Sequence, residues 1–306
     1  MSYASSRSLV YLLYWLRIIV FTWLLQSMIT LSWREPAHII KSKLTERVSQ
    51  HLDSRHYIVI LWYGDNPASA KYVHMKQKFW HTIGIRTEII WQWWTPNINE
   101  VLTTINHYNQ DPHCVGIMCQ LPLPVSLSDH KVEILEAIDP CKDIDWLTGS
   151  ANGRTIRWSN KLYPATVAAI LGIIDYYEYG DVYGKIITII NKSNLIGKPL
   201  AMALADRGAQ VIMIGKAAHP EWIKQQCQQS DMIITATGVG HLIYQEFTHP
   251  NQIIIDAGVD FIDGKLVGDV DRESVDWHII ACTPPIWGVW PMTVACLFDN
   301  IRILNQ

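Results

Sequence analysis

Tyr72 and Lys76 have side-chain types and a spacing that suit proton-transfer chemistry. Residues four apart lie on the same face of a helix. If the lysine is buried beside other polar groups, its pKa falls towards neutrality, and it can then both donate and accept protons. The alternative is an exposed lysine beside a half-buried ring, which is the more common arrangement for an isolated pair.

Two further polar residues follow apolar segments and are candidates for the same chemistry. Gln120 ends the apolar run 115–120, and Asp145 ends the sequence Lys-Asp-Ile-Asp at 142–145. Taken alone, a glutamine at a strand end is usually structural, and an aspartate in a loop usually forms a turn or a cap. Their interpretation therefore depends on what the rest of the chain indicates.

Residues 184–199 predict a nucleotide-binding unit. A wholly apolar, β-branched run at 186–190 indicates a strand buried on both faces, and Pro199 lies in the first turn of a following helix. The loop between them would direct backbone N–H groups at a phosphate on the helix N-terminus. Because only Gly197 of a G-x-G-x-x-G pattern is present, a plain α/β crossover remains the alternative.

Strands and helices alternate along the whole chain, which predicts an α/β fold with largely parallel sheets. The helix carrying Tyr72 and Lys76 is expected to begin near Asn66 or Ser69 and to end before Gly84. The predicted strands are 57–62, 86–91, 115–120, 186–190, 210–214, 231–236 and 252–257, and other predicted helices are 99–109, 164–177 and 293–303. A loop is predicted at 283–292.

Composition excludes several classes of protein. The formal charge of −3 over 306 residues gives no basic footprint for nucleic acid. Six cysteines without a CxxC or His/Cys cluster indicate neither a zinc site nor a disulfide framework, so no metal is expected. A reducing compartment fits this cysteine usage best, which favours a cytoplasmic location.

A set of motifs, in order from Met28 to the C-terminus, resembles the methylenetetrahydrofolate dehydrogenase/cyclohydrolase family over about nine tenths of the chain. In this sequence the motifs read Tyr-x-x-x-Lys at 72–76, Gln-Leu-Pro-Leu-Pro at 120–124, Lys-Asp-Ile-Asp at 142–145, Asn-Lys-Ser-Asn-Leu-Ile-Gly-Lys-Pro at 191–199, Gly-Asp-Val-Asp at 268–271 and Trp-Gly-Val-Trp-Pro-Met-Thr at 287–293. The resemblance implies oxidation of 5,10-methylenetetrahydrofolate with NADP, followed by hydrolysis of the methenyl product to 10-formyltetrahydrofolate.

The resemblance also implies roles for individual residues. Lys76 would manage protons, Tyr72 would stack on the folate, Gln120 would hydrogen-bond the lysine, and Asp145 would accept the paired N–H donors of the pterin ring. The implied substrate-binding residues are Tyr72, Gln120, Leu121, Pro122, Asp145, Pro291 and Thr293.

On the cofactor side, Lys192 and Ser193 correspond to the family's arginine and serine beside the 2′-phosphate of NADP. Lysine keeps the positive charge but lacks the planar fork of arginine, so we expect a preference for NADP over NAD that is somewhat weaker than with arginine. The implied cofactor-binding residues are Lys192, Ser193, Asn194, Gly197, Lys216, Thr237, Gly238, Gly258 and Val259.

The implied architecture has two domains with a cleft between them. A folate-binding catalytic domain comprises 28–160 and 291–306, and a Rossmann-like NADP-binding domain comprises 161–290. The family resemblance further implies a homodimer through the Rossmann-like domains and a place in one-carbon metabolism. A shikimate-type NADP dehydrogenase is the nearest enzyme alternative, but it gives no role to the motifs of Gln120 and Asp145.

Residues 1–27 form an extension before the first motif, and residues 9–29 are almost wholly apolar. This length approaches the roughly 20 residues that cross a bilayer, but Arg17 places a charge near its centre. A membrane anchor, a cleaved targeting segment and residues upstream of the true start codon are the three interpretations. The resemblance of the sequence from Met28 onward to the family's opening favours the third, and a membrane is expected only if 1–27 is translated and retained.

Tryptophan stands at four positions where relatives carry glycine: Trp33, Trp146, Trp287 and Trp290. An indole would obstruct close approach of a ligand or a positive φ angle. One explanation is drift towards a degenerate nucleotide-binding or structural relic of the family. The other is a source that reads UGA as glycine, because the changes share one direction at unrelated sites.

Overall fold

The computed structural model of the chain describes residues 28–92, 96–157, 162–215, 217–285 and 288–301. The extension 1–27, Lys216 and Trp287 lie outside these described residues, so the expectations for them stay predictions.

The first sheet is formed by three parallel strands of the N-terminal half, in the order β3-β2-β4. Its strands are β2 (Tyr57–Tyr63), β3 (Arg86–Gln92) and β4 (Cys114–Cys119). The helices that accompany it are α1 (Arg34–His51), α2 (Pro67–Thr82), α3 (Ile98–Gln110), α4 (Val125–Ser128), α5 (Lys131–Glu136) and α6 (Gly149–Arg157). Every residue of β2 and β4 is buried, as the continuous apolar runs of a parallel sheet require.

The second sheet has six parallel strands among the described residues, in the order β1-β11-β8-β7-β5-β6. Its strands are β1 (Ile29–Thr30), β5 (Ile186–Ile190), β6 (Gln210–Ile214), β7 (Met232–Thr235), β8 (Ile253–Asp256) and β11 (Ala281–Cys282). Its helices are α7 (Ala165–Tyr176), α8 (Gly197–Asp206), α9 (Pro220–Gln228) and α10 (Arg272–Val275), and β9 (Asp260–Ile262) pairs antiparallel with β10 (Lys265–Val267). The predicted α/β class with parallel sheets is confirmed.

The two halves of the chain share elements. Strand β1 near the N-terminus pairs with β11 of the second sheet, whereas α11 (Trp290–Cys296) near the C-terminus packs against α1, α2 and α7. Trp80 of α2 meets Phe298, beyond α11, edge to face with ring centroids 5.5 Å apart. One continuous cluster of buried side chains therefore extends from the first sheet through α7 and α11 to the second sheet.

Two predicted elements end at the wrong residue, and one helix was not predicted. The predicted loop 283–292 ends early, because α11 begins at Trp290 with Pro291 in its first turn, where a proline is tolerated. The predicted terminal helix 293–303 ends at Cys296 and continues as a 3₁₀ turn over Leu297–Asn300. Helix α6 was not expected, since its glycines and polar residues have low helix propensity.

Candidate active site

Lys76 and Gln120 form the centre of the candidate site. The Lys76 ammonium donates a hydrogen bond to Gln120 Oε1 over 3.1 Å and approaches Met118 Sδ at 3.6 Å. Gln120 Nε2 donates to the carbonyl oxygen of Leu121 over 2.6 Å, which fixes the amide so that its oxygen faces the lysine. Both side chains are buried, with 7% and 5% of their surfaces exposed. The alternative of an exposed lysine is therefore wrong.

Helix α2 places Tyr72 and Lys76 on one face, as predicted. The helix start is fixed by Asn66, whose Oδ1 accepts the backbone N–H of Ser69 over 3.1 Å, so Asn66 supplies the side-chain cap. Burial lowers the pKa of the Lys76 ammonium, and the Asp145 carboxylate opposes part of that decrease. This is the direction that brings a lysine towards acid–base chemistry near neutral pH.

The segment 142–145 lies alongside β4 and so carries Asp145 to the lysine. Asp143 bridges to Ile117 in parallel register, and the N–H of Ile117 donates to the Lys142 carbonyl over 2.7 Å. Gly116 permits this approach, because a Cβ there would lie 2.5 Å from the side chain of Ile144. Two residues beyond the bridge, Asp145 is carried towards the strand end that bears Gln120.

Lys142 anchors this segment from the other side. Its ammonium donates to the carbonyl oxygens of Tyr108, Asn109 and Asp111 over 2.8, 2.7 and 2.7 Å. Those carbonyls lie at the C-terminal end of α3, where backbone acceptors lack partners within the helix and a cation is favourable. The lysine therefore ties the end of α3 to the start of the Asp143–Asp145 turn.

The two carboxylates of the turn differ in their surroundings. Burial raises the pKa of Asp145, and Lys76 opposes the increase. Burial also raises the pKa of Asp143, to about 6, although its Oδ2 accepts the backbone N–H of Thr148 over 2.7 Å. Asp143 is thus occupied in holding the turn, whereas Asp145 is partly exposed beside the lysine and remains the candidate for ligand contact.

The start of α11 closes over the tyrosine. The ring of Tyr72 stacks on the indole of Trp290, so Pro291 and Thr293 lie in the helical turn next to the candidate site. Leu121 and Pro122 follow Gln120 at the exit of β4 and are at least partly exposed. The structure therefore brings together the predicted substrate-binding residues from four separate segments of the chain.

Two of the tryptophans at positions where the family resemblance predicts glycine have different local geometries. Trp146 adopts a φ of 59°, in the left-handed region that favours glycine. Its indole is nevertheless buried, and Nε1 donates to Thr155 Oγ1 over 2.8 Å. Trp33 has a φ of −72°, so its backbone conformation does not favour glycine, and its side chain packs against the main core.

The predicted nucleotide loop is organised by Asn191. Its Oδ1 accepts hydrogen bonds from the backbone N–H of Ser193, the hydroxyl of Ser193 and the N–H of Gly197, over 2.8, 2.7 and 3.0 Å. Its Nδ2 donates to the carbonyl oxygen of Ala236 over 2.6 Å and so joins the loop to the end of β7. A Cβ on Gly197 would overlap the carbonyl of Asn191, which explains the glycine at the start of α8.

A cavity of about 580 Å³ borders this loop. It is lined by Lys192, Ser193, Asn194 and Lys198 on one side and by residues of α5 and α6 on the other. The side chain of Lys192 also passes Gly215 at the end of β6, where a Cβ would meet it at 3.4 Å. Two lysines, a hydroxyl and a glycine-dependent turn at the carboxyl end of parallel strands fit an anionic nucleotide.

The remaining predicted cofactor residues lie on two neighbouring loops. Thr237 and Gly238 follow β7, and Gly258 and Val259 follow β8, which is paired in parallel with β7. Gly238 has a φ of 62°, in the left-handed region that favours glycine.

Several side chains that position the site were not predicted from the sequence. Besides Lys142 and Asn191, Asn300 donates from Nδ2 to the carbonyls of Ile144 and Tyr163, each over 3.0 Å. Asp269 also binds the loop after β7. Family motifs include Lys142, Asn191 and Asp269, but the contacts of all four residues depend on chain segments that meet only in the folded protein.

No cluster of three or more His, Cys, Asp or Glu side chains in the described part of the chain could hold a metal ion. Within the same residues, every helix is too short or too polar to cross a bilayer.

Both halves of the chain match models of one protein family. Residues 31–145 match the catalytic domain of tetrahydrofolate dehydrogenase/cyclohydrolase, and residues 164–306 match the NAD(P)-binding domain of the same family. The bifunctional protein FolD of Mesoplasma florum is 34% identical over 284 residues, which cover 91% of this chain and 98% of that protein. FolD of Lactobacillus acidophilus is 34% identical over 276 residues, covering 88% and 94%.

Solved structures give the same result. The bifunctional methylenetetrahydrofolate dehydrogenase/cyclohydrolase FolD of Campylobacter jejuni superposes with a TM-score of 0.83 at 32% identity, covering 91% of this chain and 99% of that one. The methylenetetrahydrofolate dehydrogenase-cyclohydrolase of Trypanosoma brucei, solved with NADP cofactor and an inhibitor, has a TM-score of 0.84 at 25% identity, covering 91% and 97%. The similarity therefore extends across both sheets and across the segments that carry the candidate site.

Proposed function

Because this chain belongs to the tetrahydrofolate dehydrogenase/cyclohydrolase family, we propose that it is an enzyme with both activities. It oxidises 5,10-methylenetetrahydrofolate with NADP to the methenyl form and hydrolyses that product to 10-formyltetrahydrofolate. The observation that carries the proposal is the buried Lys76, hydrogen-bonded to Gln120 and electrostatically coupled to Asp145. A lysine in this setting is expensive to bury without a function and has the lowered pKa that proton transfer requires.

The proposed catalytic group comprises Lys76, Tyr72, Gln120 and Asp145. Lys76 delivers and removes protons during hydrolysis, because a lowered pKa makes its neutral form easier to reach. Gln120 holds the ammonium in place, and the Asp145 carboxylate accepts N–H donors of the pterin ring. Tyr72 packs against the folate, and the further substrate contacts are Leu121, Pro122, Pro291 and Thr293.

For the cofactor we propose NADP rather than NAD. When bound, NADP supplies the acceptor for the hydride that leaves the one-carbon bridge. Lys192 and Ser193 border the cavity beside the loop and provide the charge and the hydroxyl that a 2′-phosphate requires. The other proposed contacts are Asn194, Gly197, Lys216, Thr237, Gly238, Gly258 and Val259.

The decisive experiment mixes purified protein with 5,10-methylenetetrahydrofolate and NADP and follows the absorbance of NADPH and of the methenyl product. The wild-type chain is expected to turn over, and Lys76→Met is expected to lose methenyl hydrolysis. Lys78→Met is the matched control, because Lys78 is exposed on the same helix. Absence of turnover in correctly folded wild-type protein, or full hydrolysis by Lys76→Met, would contradict the proposal.

We also propose that residues 28–160 with 291–306 form the folate-binding domain and that residues 161–290 form the NADP-binding domain. The protein is proposed to act in the cytoplasm as a homodimer joined through its NADP-binding domains. Family membership supports these points. Sedimentation equilibrium of the purified chain tests the assembly, since a monomer over the working concentration range would contradict it.

A further inference from the structure

Asp269 is fully buried, and its carboxylate accepts four hydrogen bonds from the last residue of β7 and the loop that follows it. Oδ2 accepts the hydroxyl of Thr235 over 2.6 Å, and it accepts the N–H and the hydroxyl of Thr237 over 2.6 and 2.9 Å. Oδ1 accepts the N–H of Val239 over 3.1 Å. One side chain therefore determines the path of residues 235–239.

The same carboxylate also borders the loop that follows β8. A Cβ on Gly258 would overlap the Asp269 carboxylate, so this loop approaches Asp269 as closely as a glycine allows. Asp256, the last residue of β8, accepts the N–H groups of Gly258 and Asp269 at Oδ1, over 2.9 and 3.2 Å. Its Oδ2 accepts the N–H of Val270 over 3.0 Å. Both loops are thus joined to the segment 268–270.

The two loops lie at the edge of the sheet where a nucleotide is expected to bind. Strands β7 and β8 are parallel neighbours, with Thr235 opposite Asp256 at their carboxyl ends. Nucleotides bind outside the carboxyl ends of parallel strands. Asp269 itself has no exposed surface and so acts on a ligand only through the two loops.

We propose that Asp269 is a positioning residue that holds the loops 237–239 and 258–259 in the conformation that receives NADP. The inference rests on the proposed function. A carboxylate is required because both of its oxygens accept hydrogen bonds, whereas the amide of asparagine has one acceptor and one donor. In Asp269→Asn, either the N–H of Val239 or the donors of Thr235 and Thr237 would face an NH₂ group.

The test compares wild type, Asp269→Asn and the control Asp271→Asn in the full-length chain. Asp271 lies in the same motif but makes no side-chain cap for α10. We expect Asp269→Asn to raise the KM for NADP about tenfold, because buried donors lose their acceptor. Hydrolysis of supplied 5,10-methenyltetrahydrofolate, which needs no NADP, is expected to change less than twofold, and Asp271→Asn is expected to resemble wild type in both assays.

An unchanged KM for NADP in folded Asp269→Asn, or an equal loss of both activities there, would overturn the inference. If Asp269→Asn does not fold, Thr235→Val removes one donor to the same oxygen and keeps the side-chain shape. A raised KM for NADP with normal hydrolysis would then support the inference, and an unchanged KM would overturn it. If the wild type lacks both activities, the proposed function fails, and calorimetric NADP binding by wild type and Asp269→Asn decides the positioning role separately.

Discussion

The ring of Tyr72 and the indole of Trp290 are stacked, with centroids 3.6 Å apart and planes inclined by 27°. Tyr72 lies on α2 one turn before Lys76, and Trp290 is the first residue of α11. The stack therefore covers one face of the ring to which the family resemblance assigns stacking on the folate. A substrate that uses this face must displace the indole.

Replacing the indole is expected to improve substrate binding. Trp290→Gly should lower the KM for 5,10-methylenetetrahydrofolate by about two- to tenfold, because an aromatic stack is worth about 0.5–1.5 kcal/mol. Initial rates at saturating NADP measure the effect. Trp277→Gly is the control, since Trp277 is an exposed indole outside the site. An increased KM in Trp290→Gly would instead make the indole part of the substrate site.

The backbone at Trp146 provides a test of strain at another position where the family resemblance predicts glycine. Because Trp146 has a φ of 59°, Trp146→Gly should be more stable than Trp146→Ala by about 1 kcal/mol, although both variants lose the buried indole. Urea denaturation compares the two variants. The matched pair at Trp80, within α2, should show the reverse order by about 1 kcal/mol. Equal stability of the two Trp146 variants would show that the position does not favour glycine.

This geometry bears on the two explanations for the tryptophans. The φ of Trp146 and the stack of Trp290 on Tyr72 are both expected if these positions are built for glycine. The backbone of Trp33 has an ordinary helical conformation that does not favour glycine. The hypothesis that UGA is read as glycine stays a prediction, and UGG codons at all four positions in the gene would reject it.

The sequence predicted the strands better than it predicted the contacts that hold the candidate site. Strand β5 has the predicted limits 186–190, because a β-branched run bounded by polar residues has few alternatives. Helix α6 was missed, since Gly149 and Gly153 disfavour a helix that tertiary packing nevertheless stabilises. The contacts of Asp269 with Thr237 span 32 residues, and no local pattern records them.

The pH dependence of hydrolysis should respond to Asp145. Burial lowers the pKa of Lys76, and the Asp145 charge raises it. Asp145→Asn removes the raising effect, so the pKa of Lys76 should fall further. The limb of the pH–rate profile that reports Lys76 should therefore move to lower pH, as measured with supplied 5,10-methenyltetrahydrofolate.

Asp129→Asn is the control for this measurement, because Asp129 is an exposed carboxylate away from the lysine. Its profile should coincide with that of the wild type. A limb that stays in place or moves to higher pH in Asp145→Asn would contradict the coupling between Asp145 and Lys76.

Lys142→Met should destabilise the first half of the chain. The variant leaves three carbonyl oxygens at the end of α3 without the ammonium that they now share, and the expected loss is about 1–3 kcal/mol in the free energy of unfolding. Urea denaturation followed by circular dichroism measures it. Lys43→Met, at an exposed position on α1, should change stability by less than about 0.5 kcal/mol. If both variants are equally stable, Lys142 does not anchor the turn that carries Asp145.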